Sequence, residues 1–268
     1  MISGIPHHAG QENLKDRKAL VVFSGGQDST TCLHWALATF KAVECIFFDY
    51  GQRHVSEKLA AEKIATDLKV PLRVFNLDFF REMGGNALVD SHIDIKAAEP
   101  KDTAPNPITN KNGSTIKSGG EVENLPNTFV PGRNLIFLTY AASYAYTRDI
   151  RDLVTGVCQT DYSGYPDCRD ATMQSLEKAL SLGLGWSLPD EKKSSHHLSL
   201  HTPLMFKTKA ESVKWALELG AIDSLAWSHT CYEGTFPPCG KCPACELRAK
   251  GFAEAGVDDP LMQRTKKV

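Results

Sequence analysis

Short apolar runs alternate with amphipathic segments along residues 19–157 of the chain. Apolar and polar residues do not alternate within these runs, as they would in a half-exposed sheet. Continuous apolar runs are typical of strands that are buried on both faces. They are ALVVF (19–23), VECIFF (43–48), PLRVFNL (71–77) and DLVTGV (152–157). Segments with apolar residues at helical spacing lie between them: DSTTCLHWALATF (28–40), SEKLAAEKIATDL (56–68) and RNLIFLTYAASYAYTR (133–148). This order predicts an α/β fold, with a parallel sheet covered by helices on both faces.

Two polar stretches interrupt this pattern, and a third precedes it. Residues 96–127 and 187–199 are rich in polar residues, and we expect them to form surface insertions. Residues 1–17 contain no apolar core, so they predict a polar extension rather than a secretion signal. We therefore expect an α/β domain over residues 18–228 and a small C-terminal region over residues 229–268.

The composition and net charge of the chain argue against two kinds of binding partner, nucleic acids and membranes. Of the 268 residues, 42% are hydrophobic and 23% are charged, which is ordinary for a globular protein. The formal net charge of −2 supplies no global basic field, so no nucleic-acid partner is expected. No apolar run in the sequence approaches the length of a membrane span, so we expect no membrane association and a cytoplasmic location.

Three polar, glycine-containing segments follow the predicted strands at their carboxyl ends. They are SGGQDST (24–30), FDYGQRH (48–54) and TGVCQTDYSGYPDCR (155–169). Ligands of parallel α/β sheets bind beyond the carboxyl ends of the strands. We therefore expect the three segments to form one site.

The segment SGGQDST has the chemistry of a phosphate-binding loop. Gly25 and Gly26 allow backbone N–H groups to approach a polyphosphate. Asp28 would repel a phosphate, so we expect it to bind magnesium or to shape the loop. Hydroxyl donors are supplied by Ser24, Ser29 and Thr30. The lysine of the common G-x-x-x-x-G-K-[ST] loop is missing, and an ordinary strand-to-helix turn is the simpler alternative.

Four of the eight cysteines are clustered near the C-terminus with the spacing C-x7-C-x2-C-x2-C. They are Cys231, Cys239, Cys242 and Cys245. Four thiolates fill the tetrahedral coordination of zinc and leave no position for water, which predicts a structural zinc site. An iron–sulfur cluster and a nucleic-acid-binding zinc knuckle are the alternatives, and His229 can replace one cysteine. Cys32 and Cys45 lie among apolar neighbours, so we expect both to be small buried residues.

The glycine loop resembles the pyrophosphate loop of the N-type ATP pyrophosphatase superfamily, whose members transfer AMP to a substrate oxygen. Together with the cysteine cluster, several segments resemble the 7-cyano-7-deazaguanine synthase family of queuosine biosynthesis. These segments are VVFSGGQDSTTCL, FDYGQRH, NTFVPGRN, TGVCQTDYSGYPDCRD, TPL and TCY…CGKCPACELRAKG, and they run from about residue 20 to residue 252. The polar extension and the two insertions lie outside them.

The resemblance implies a fold, a reaction and cofactors. The fold is a Rossmann-like, adenine nucleotide alpha hydrolase-like sheet with a small zinc-binding subdomain. The reaction is that of a ligase forming C–N bonds, which converts 7-carboxy-7-deazaguanine, ammonia and ATP with magnesium into 7-cyano-7-deazaguanine. It passes through an adenylated carboxylate, an amide and an adenylated amide, with release of AMP and pyrophosphate. One structural zinc ion per chain and a homodimer are also implied.

In that reaction the loop holds the β and γ phosphates as a leaving group, so a lysine for γ-phosphoryl transfer is not required. The resemblance assigns ATP binding to Phe23, Ser24, Gly25, Gly26, Gln27, Asp28, Ser29, Thr30, Thr31, Cys32 and Leu33. It implies catalytic roles for Asp28, Ser29 and Arg133. A salt bridge at a helix start is the simpler explanation of Arg133.

The loop DYSGYPDCR supplies the expected substrate residues. These are Asp161, Tyr162, Tyr165, Asp167 and Arg169. The carboxylates can accept hydrogen bonds from the donor edge of a guanine-like ring, the tyrosines can stack on it, and the arginine can bind a carboxylate or phosphate. A hydrogen-bonded surface turn is the simpler alternative.

Other functions make different demands on the sequence. A tRNA thiolase, a related adenylating enzyme, needs a basic RNA surface, which the net charge disfavours. A glutamine-dependent synthetase needs a glutaminase domain, and too few residues precede the loop for one, so free ammonia is expected. A zinc-knuckle binding protein would show no ATP turnover.

Overall fold

The structure is a computed structural model of the chain. It describes residues 13–52, 55–83, 87–89, 92–95, 127–159, 165–188 and 197–266, apart from the side chain of residue 81. The expected substrate residues Asp161 and Tyr162 lie outside the described residues. So do most of the predicted N-terminal extension and large parts of both predicted insertions.

The described residues contain one sheet of five parallel strands in the order β3-β2-β1-β4-β5. The strands are β1 (Lys18–Val22), β2 (Ala42–Asp49), β3 (Leu72–Asn76), β4 (Asp152–Val154) and β5 (Ser199–His201). The first four coincide with the predicted apolar runs, which confirms the predicted fold. β5 was missed because its three half-buried residues make no apolar run, and its first residue is the last of the predicted insertion 187–199.

The helices of the described residues follow the strands in the predicted alternation. They are α1 (Gln27–Thr39), α2 (Ser56–Asp67), α3 (Phe79–Met83), α4 (Arg133–Tyr146), α5 (Asp170–Gly183), α6 (Lys209–Glu218), α7 (Ile222–Trp227), α8 (Pro243–Ala255) and α9 (Pro260–Thr265). Two short 3-10 turns, Leu14–Asp16 and Pro166–Cys168, precede β1 and α5. Among these helices, none is long and apolar enough to cross a membrane.

Alternate residues of β1 pack on opposite faces of the sheet, as the pleat of a strand requires. Ala19 belongs to a core that includes Leu33 of α1 and Ile64 of α2. Leu20 belongs to a second core that includes Ala141 of α4. The sheet is therefore buried on both faces, which explains why its strands read as continuous apolar runs.

β1 is the central strand, and the order of the strands along the chain switches direction there. It is connected through α1 to β2 on one side, whereas β4 on its other side follows α4. Such a switch in strand order opens a crevice at the carboxyl ends of the strands, where ligands of doubly wound sheets bind. Residues 23–26 after β1 and residues 155–159 after β4 border this crevice.

Candidate phosphate-binding loop and metal site

The loop after β1 is packed tightly against α2. Gly25 has a φ of +77°, in the left-handed region that favours glycine. A Cβ at this position would lie 2.6 Å from both the backbone nitrogen of Ala61 and the carbonyl oxygen of Glu57. Glycine is therefore required here for two reasons, because its φ is positive and because the backbone of α2 occupies the space that a side chain would fill.

Three hydroxyl groups hold this loop in shape. Ser29 Oγ donates to the carbonyl oxygen of Gly26 at 3.2 Å and lies 3.1 Å from Ser24 Oγ. The Thr30 hydroxyl donates to the same carbonyl oxygen at 2.8 Å. Ser29 and Thr30 are buried, whereas Ser24 is exposed. Of the three, Ser24 is therefore the one that can offer its hydroxyl to a ligand entering from solvent.

The other expected ATP-binding residues mostly support the loop from behind. The side chains of Phe23, Cys32 and Leu33 are at most 1% exposed and belong to the core on the α1 face. Burial raises the pKa of the Cys32 thiol well above its usual range, so this cysteine is a neutral core residue. Within α1, the Thr31 hydroxyl donates to the carbonyl oxygen of Gln27 at 3.0 Å. These side chains fix the position of the loop, and ligand contacts fall to its backbone.

Asp28, in the first turn of α1, has one hydrogen-bonded carboxylate oxygen and one without a hydrogen-bond partner among the described residues. Oδ2 accepts a hydrogen bond from Lys209 Nζ of α6 at 2.7 Å. Oδ1 is buried and has no hydrogen-bond partner among the described residues. The loop after β4 closes on this turn, since a Cβ on Gly156 would lie 3.0 Å from the backbone nitrogen of Ser29. A carboxylate oxygen without a donor fits a ligand of magnesium.

Arg133 begins α4 and lies among three tyrosines. Its Nη1 donates to the Tyr50 hydroxyl at 3.2 Å. Burial raises the pKa of Tyr50 to about 12 and also raises the pKa values of Tyr165 and Tyr232. Burial alone would lower the pKa of Arg133, but the three tyrosines and Asp167 raise it above its usual range. The group therefore offers one fixed positive charge among neutral phenols, which suits an anionic ligand.

Glu57 of α2 is a neighbour of both the phosphate loop and Arg133, and no motif in the sequence marks it. Its backbone carbonyl oxygen lies where a side chain on Gly25 would be, while its carboxylate is close enough to Arg133 and His229 to interact with them electrostatically. Burial raises the pKa of Glu57 to about 7, while the neighbouring Arg133 and His229 oppose this effect and Cys231 adds to it. A helix-surface glutamate thus becomes a half-buried acid at the candidate site.

The described part of the expected substrate loop lies next to the start of α4. Asp167 is 5% exposed, and its Oδ2 accepts the backbone N–H of Asn134 at 3.1 Å. The Tyr165 hydroxyl is 2.7 Å from Thr128 Oγ1. Arg169 is exposed and lies at the N-terminus of α5. Tyr165 and Asp167 are therefore brought to the candidate site, whereas the Arg169 side chain lies at the surface.

The four clustered cysteines form a group that can hold a metal ion. Their sulfur atoms all lie within 4.8 Å of one another, and Cys239 Sγ is 3.9 Å from Cys245 Sγ. Sulfur ligands of a tetrahedral zinc ion, with Zn–S bonds of about 2.3 Å, are about 3.8 Å apart, so the group fits zinc. Two backbone N–H groups point at the sulfurs, from Cys239 to Cys231 and from Cys242 to Cys239, each at 3.4 Å.

The segment that leads into the cysteine cluster, residues 228–231, is hydrogen-bonded to the phosphate loop. The backbone N–H of His229 donates to the carbonyl oxygen of Gly25 at 2.9 Å. Arg248 of α8 also holds this segment, because its Nη1 donates to the Ser228 hydroxyl at 2.8 Å. The shape of the loop is therefore coupled to the order of the segment that carries the cysteines.

A glycine loop at the switch point of a parallel sheet, followed in the fold by a four-cysteine cluster, defines a Rossmann-like α/β protein with a candidate phosphate-binding site and a candidate metal site. Residues 18–256 match the family model described as queuosine biosynthesis protein QueC. The chain belongs to this family. The family resemblance seen in the sequence is therefore confirmed.

Similar proteins with curated names support the same family assignment. A 7-cyano-7-deazaguanine synthase of Chromobacterium violaceum is 54% identical over 251 residues, which cover 93% of this chain and 94% of the relative. A protein of the same name from Laribacter hongkongensis is 50% identical and covers 94% of this chain and 98% of its own. The Bacillus subtilis 7-cyano-7-deazaguanine synthase is 43% identical and covers 90% and 96%.

Proposed function

We propose that the protein is a ligase of queuosine biosynthesis that converts 7-carboxy-7-deazaguanine and ammonia into 7-cyano-7-deazaguanine with ATP. The observation that carries the proposal is the glycine loop with Asp28 at the switch point, in a chain whose relatives are named as synthases of this product over nearly their whole length. The chemistry of the conversion explains why such a loop is needed.

A ring carboxylate is a poor electrophile because its oxygen is a poor leaving group. In the first step a carboxylate oxygen attacks the α-phosphorus of ATP, and pyrophosphate leaves with the electron pair of the Pα–O bond. Ammonia then attacks the carbonyl carbon, AMP leaves, and a primary amide results. The amide oxygen attacks a second ATP in the same way. Loss of two N–H protons and of AMP then gives the nitrile, so one loop serves both adenylations.

The geometry supports a division of roles in these steps. We assign the phosphates of ATP to the backbone of residues 24–26, and magnesium to Oδ1 of Asp28, which has no hydrogen-bond partner among the described residues. Arg133 is assigned to the anion that reacts, as the substrate carboxylate or the adenylate phosphate. Ser29 is assigned to keeping the loop in shape, because its hydroxyl is bonded to Gly26.

Recognition of the deazaguanine ring is proposed for the loop that contains Tyr165 and Asp167, together with Asp161 and Tyr162. A guanine-like ring presents an N–H and an amine side by side, which pair best with carboxylates. Asp167 supports α4 through Oδ2, which accepts the backbone N–H of Asn134, and its Oδ1 accepts a weak hydrogen bond from the Cys168 thiol at 3.9 Å. That second oxygen is the one we assign to the ring.

The cysteine region is proposed to be structural. Four thiolates leave no open position on zinc, so this metal would stabilise the fold and take no part in the reaction. We further propose that residues 18–228 form the catalytic domain, that the substrates are small molecules, and that the protein is a homodimer. Light scattering of the purified protein tests the last point.

The function is tested with ATP, magnesium, 15N-labelled ammonium and 7-carboxy-7-deazaguanine. Mass spectrometry should detect the nitrile with one additional mass unit, because its nitrogen comes from ammonia. Omission of ammonium should leave the acid unconverted. If the zinc-loaded protein forms neither the amide nor the nitrile, the proposed function is wrong.

A further inference from the structure

The carboxylate of Glu57 lies at the candidate site and has no role in the steps assigned so far. The carboxylates of Asp28 and Asp167 are already assigned, to magnesium and to the deazaguanine ring. Glu57 is the second residue of α2 and is half-buried. Its backbone carbonyl oxygen is 2.6 Å from the position that a Cβ on Gly25 would take, so this turn of α2 is packed against the phosphate loop.

The side chain of Glu57 belongs to the group around Arg133. Its carboxylate interacts electrostatically with Arg133 and His229, and its charge disfavours ionisation of Tyr50 and Tyr232. No hydrogen bond is among the influences on this carboxylate from the described residues. Because such charge interactions weaken with distance, the carboxylate must lie close to the guanidinium group that we assign to the reacting anion.

We propose that the Glu57 carboxylate accepts the proton that the ammonia nitrogen loses as the amide forms. This inference rests on the proposed function and names the base for its first C–N bond. The lone pair of ammonia forms the bond to the carbonyl carbon of the adenylate, and the π electrons move to the oxygen. One N–H proton then passes to a Glu57 oxygen, and its electron pair stays on nitrogen. The carbonyl re-forms, and AMP leaves with the electron pair of its C–O bond.

The charges that develop in this step match the charges of the two side chains. The oxygen of the adduct and the departing phosphate are negative, and Arg133 can stabilise them. The nitrogen becomes positive, and a neutral amide forms only when this nitrogen has lost a proton. Since Glu57 is half-buried, it can release the accepted proton to solvent and become a carboxylate again before the next turnover.

A structural role for Glu57 is the competing explanation. A glutamate in the first turn of a helix is favoured by the helix dipole, and it can also balance the charge of Arg133. Both effects would act on the phosphate loop or on Arg133, and therefore on adenylation itself. A proton acceptor for nitrogen has no part in adenylation, so the two explanations differ in which half of the reaction depends on Glu57.

The variants separate the charge of Glu57 from its shape. Glu57→Gln removes the proton acceptor and keeps the size of the side chain. Glu57→Asp keeps a carboxylate but draws it back toward the backbone. Glu62→Gln, which changes an exposed glutamate on the same helix, serves as the control.

The zinc-loaded full-length proteins are assayed in two parts. Without ammonium, exchange of radiolabelled pyrophosphate into ATP in the presence of 7-carboxy-7-deazaguanine reports the first adenylation. With ammonium, single-turnover formation of the amide and the nitrile reports the C–N bond. Glu57→Gln should retain the exchange rate of the parent and form the amide about 100- to 10,000-fold more slowly, as expected for loss of a general base. Glu57→Asp should be intermediate, and the control should match the parent.

Parent-like amide formation by Glu57→Gln would overturn the inference. So would an equal loss of exchange and of amide formation, since this indicates that Glu57 only positions Arg133 or the loop. In both cases the parent still forms the nitrile, and the proposed function stands. A parent that shows neither acid-dependent exchange nor nitrile formation would instead overturn the proposed function, and the inference with it.

Discussion

Replacement of Arg248 with alanine is expected to destabilise the protein and to weaken ATP binding at a distance. Arg248 is 5% exposed and donates from Nε and Nη2 to the two carboxylate oxygens of Asp259, at 2.6 and 2.8 Å. The same guanidinium group donates to the Ser228 hydroxyl at 2.8 Å and to the carbonyl oxygen of Leu225 at 3.1 Å. The substitution removes these four hydrogen bonds and a fifth, from Nη1 to the carbonyl oxygen of Ser228 at 3.4 Å.

The size of the effect follows from what remains behind. Loss of one partner of a buried ion pair costs about 3–5 kcal/mol, because the other charge is left without compensation. The Asp259 side chain is 10% exposed, so some water can reach it, and we expect the lower end, about 3 kcal/mol. For a protein of this size, each kcal/mol lowers the melting temperature by about 2–4 °C, which gives about 6–12 °C in total.

The consequence for ATP follows from the neighbouring hydrogen bond. Ser228 precedes His229, whose backbone N–H holds the carbonyl oxygen of Gly25. Thermal melts, zinc content and ATP titration on Arg248→Ala should show a lower melting temperature, retained zinc and an increased dissociation constant for ATP. Lys250→Ala on the same helix, where the side chain is 69% exposed, should match the parent. Parent-like stability and ATP affinity in Arg248→Ala would refute this reasoning.

Three further substitutions test separate parts of the site. Cys242→Ser should lower zinc content and melting temperature before it changes the chemistry, because metal-binding energy is folding energy in such sites; unchanged melting after chelation would contradict this. Gly25→Ala should weaken ATP binding at least about tenfold by titration, since its Cβ would meet the backbone of Ala61 at 2.6 Å. Because the pKa of Glu57 is raised to about 7, the folded protein binds a proton at Glu57 more tightly than the unfolded chain does. The stability that this proton uptake contributes is present at low pH and is lost as the pH rises from about 4.5 through 7. Glu57→Gln should therefore gain up to about 3 kcal/mol relative to the parent above pH 7 and little at pH 5, and equal gains in melts at both pH values would count against it.

The parts of the fold that can be predicted from the sequence are those whose residue pattern lies within one short stretch of the chain. β1 and β2 are buried on both faces, so each is a continuous apolar run, and the glycine loop follows β1 directly. The cysteine cluster is equally local, because three of its four members lie within Cys239–Cys245. β5 escaped prediction because three half-buried residues carry too little pattern.

Contacts between distant segments were not predictable in this way. Lys209 reaches Asp28 only because α6 packs beside α1, and nothing in the residues around position 209 predicts this ion pair. Glu57 becomes unusual through burial beside Arg133, which is on another helix. For Asp167 the sequence identified a carboxylate in a ligand loop, but it did not reveal the bond to Asn134 that ties one oxygen to α4.

The central claim, that one phosphate loop drives two adenylations on the way from acid to nitrile, is tested most directly by counting nucleotide products. Purified protein is supplied with limiting 7-carboxy-7-deazaguanine, excess ATP and ammonium, and AMP, ADP, pyrophosphate and nitrile are quantified as the reaction reaches completion. The proposed chemistry requires two AMP and two pyrophosphate for each nitrile, and one of each for any amide that accumulates. ADP as the main nucleotide product, or a single AMP per nitrile, would contradict it.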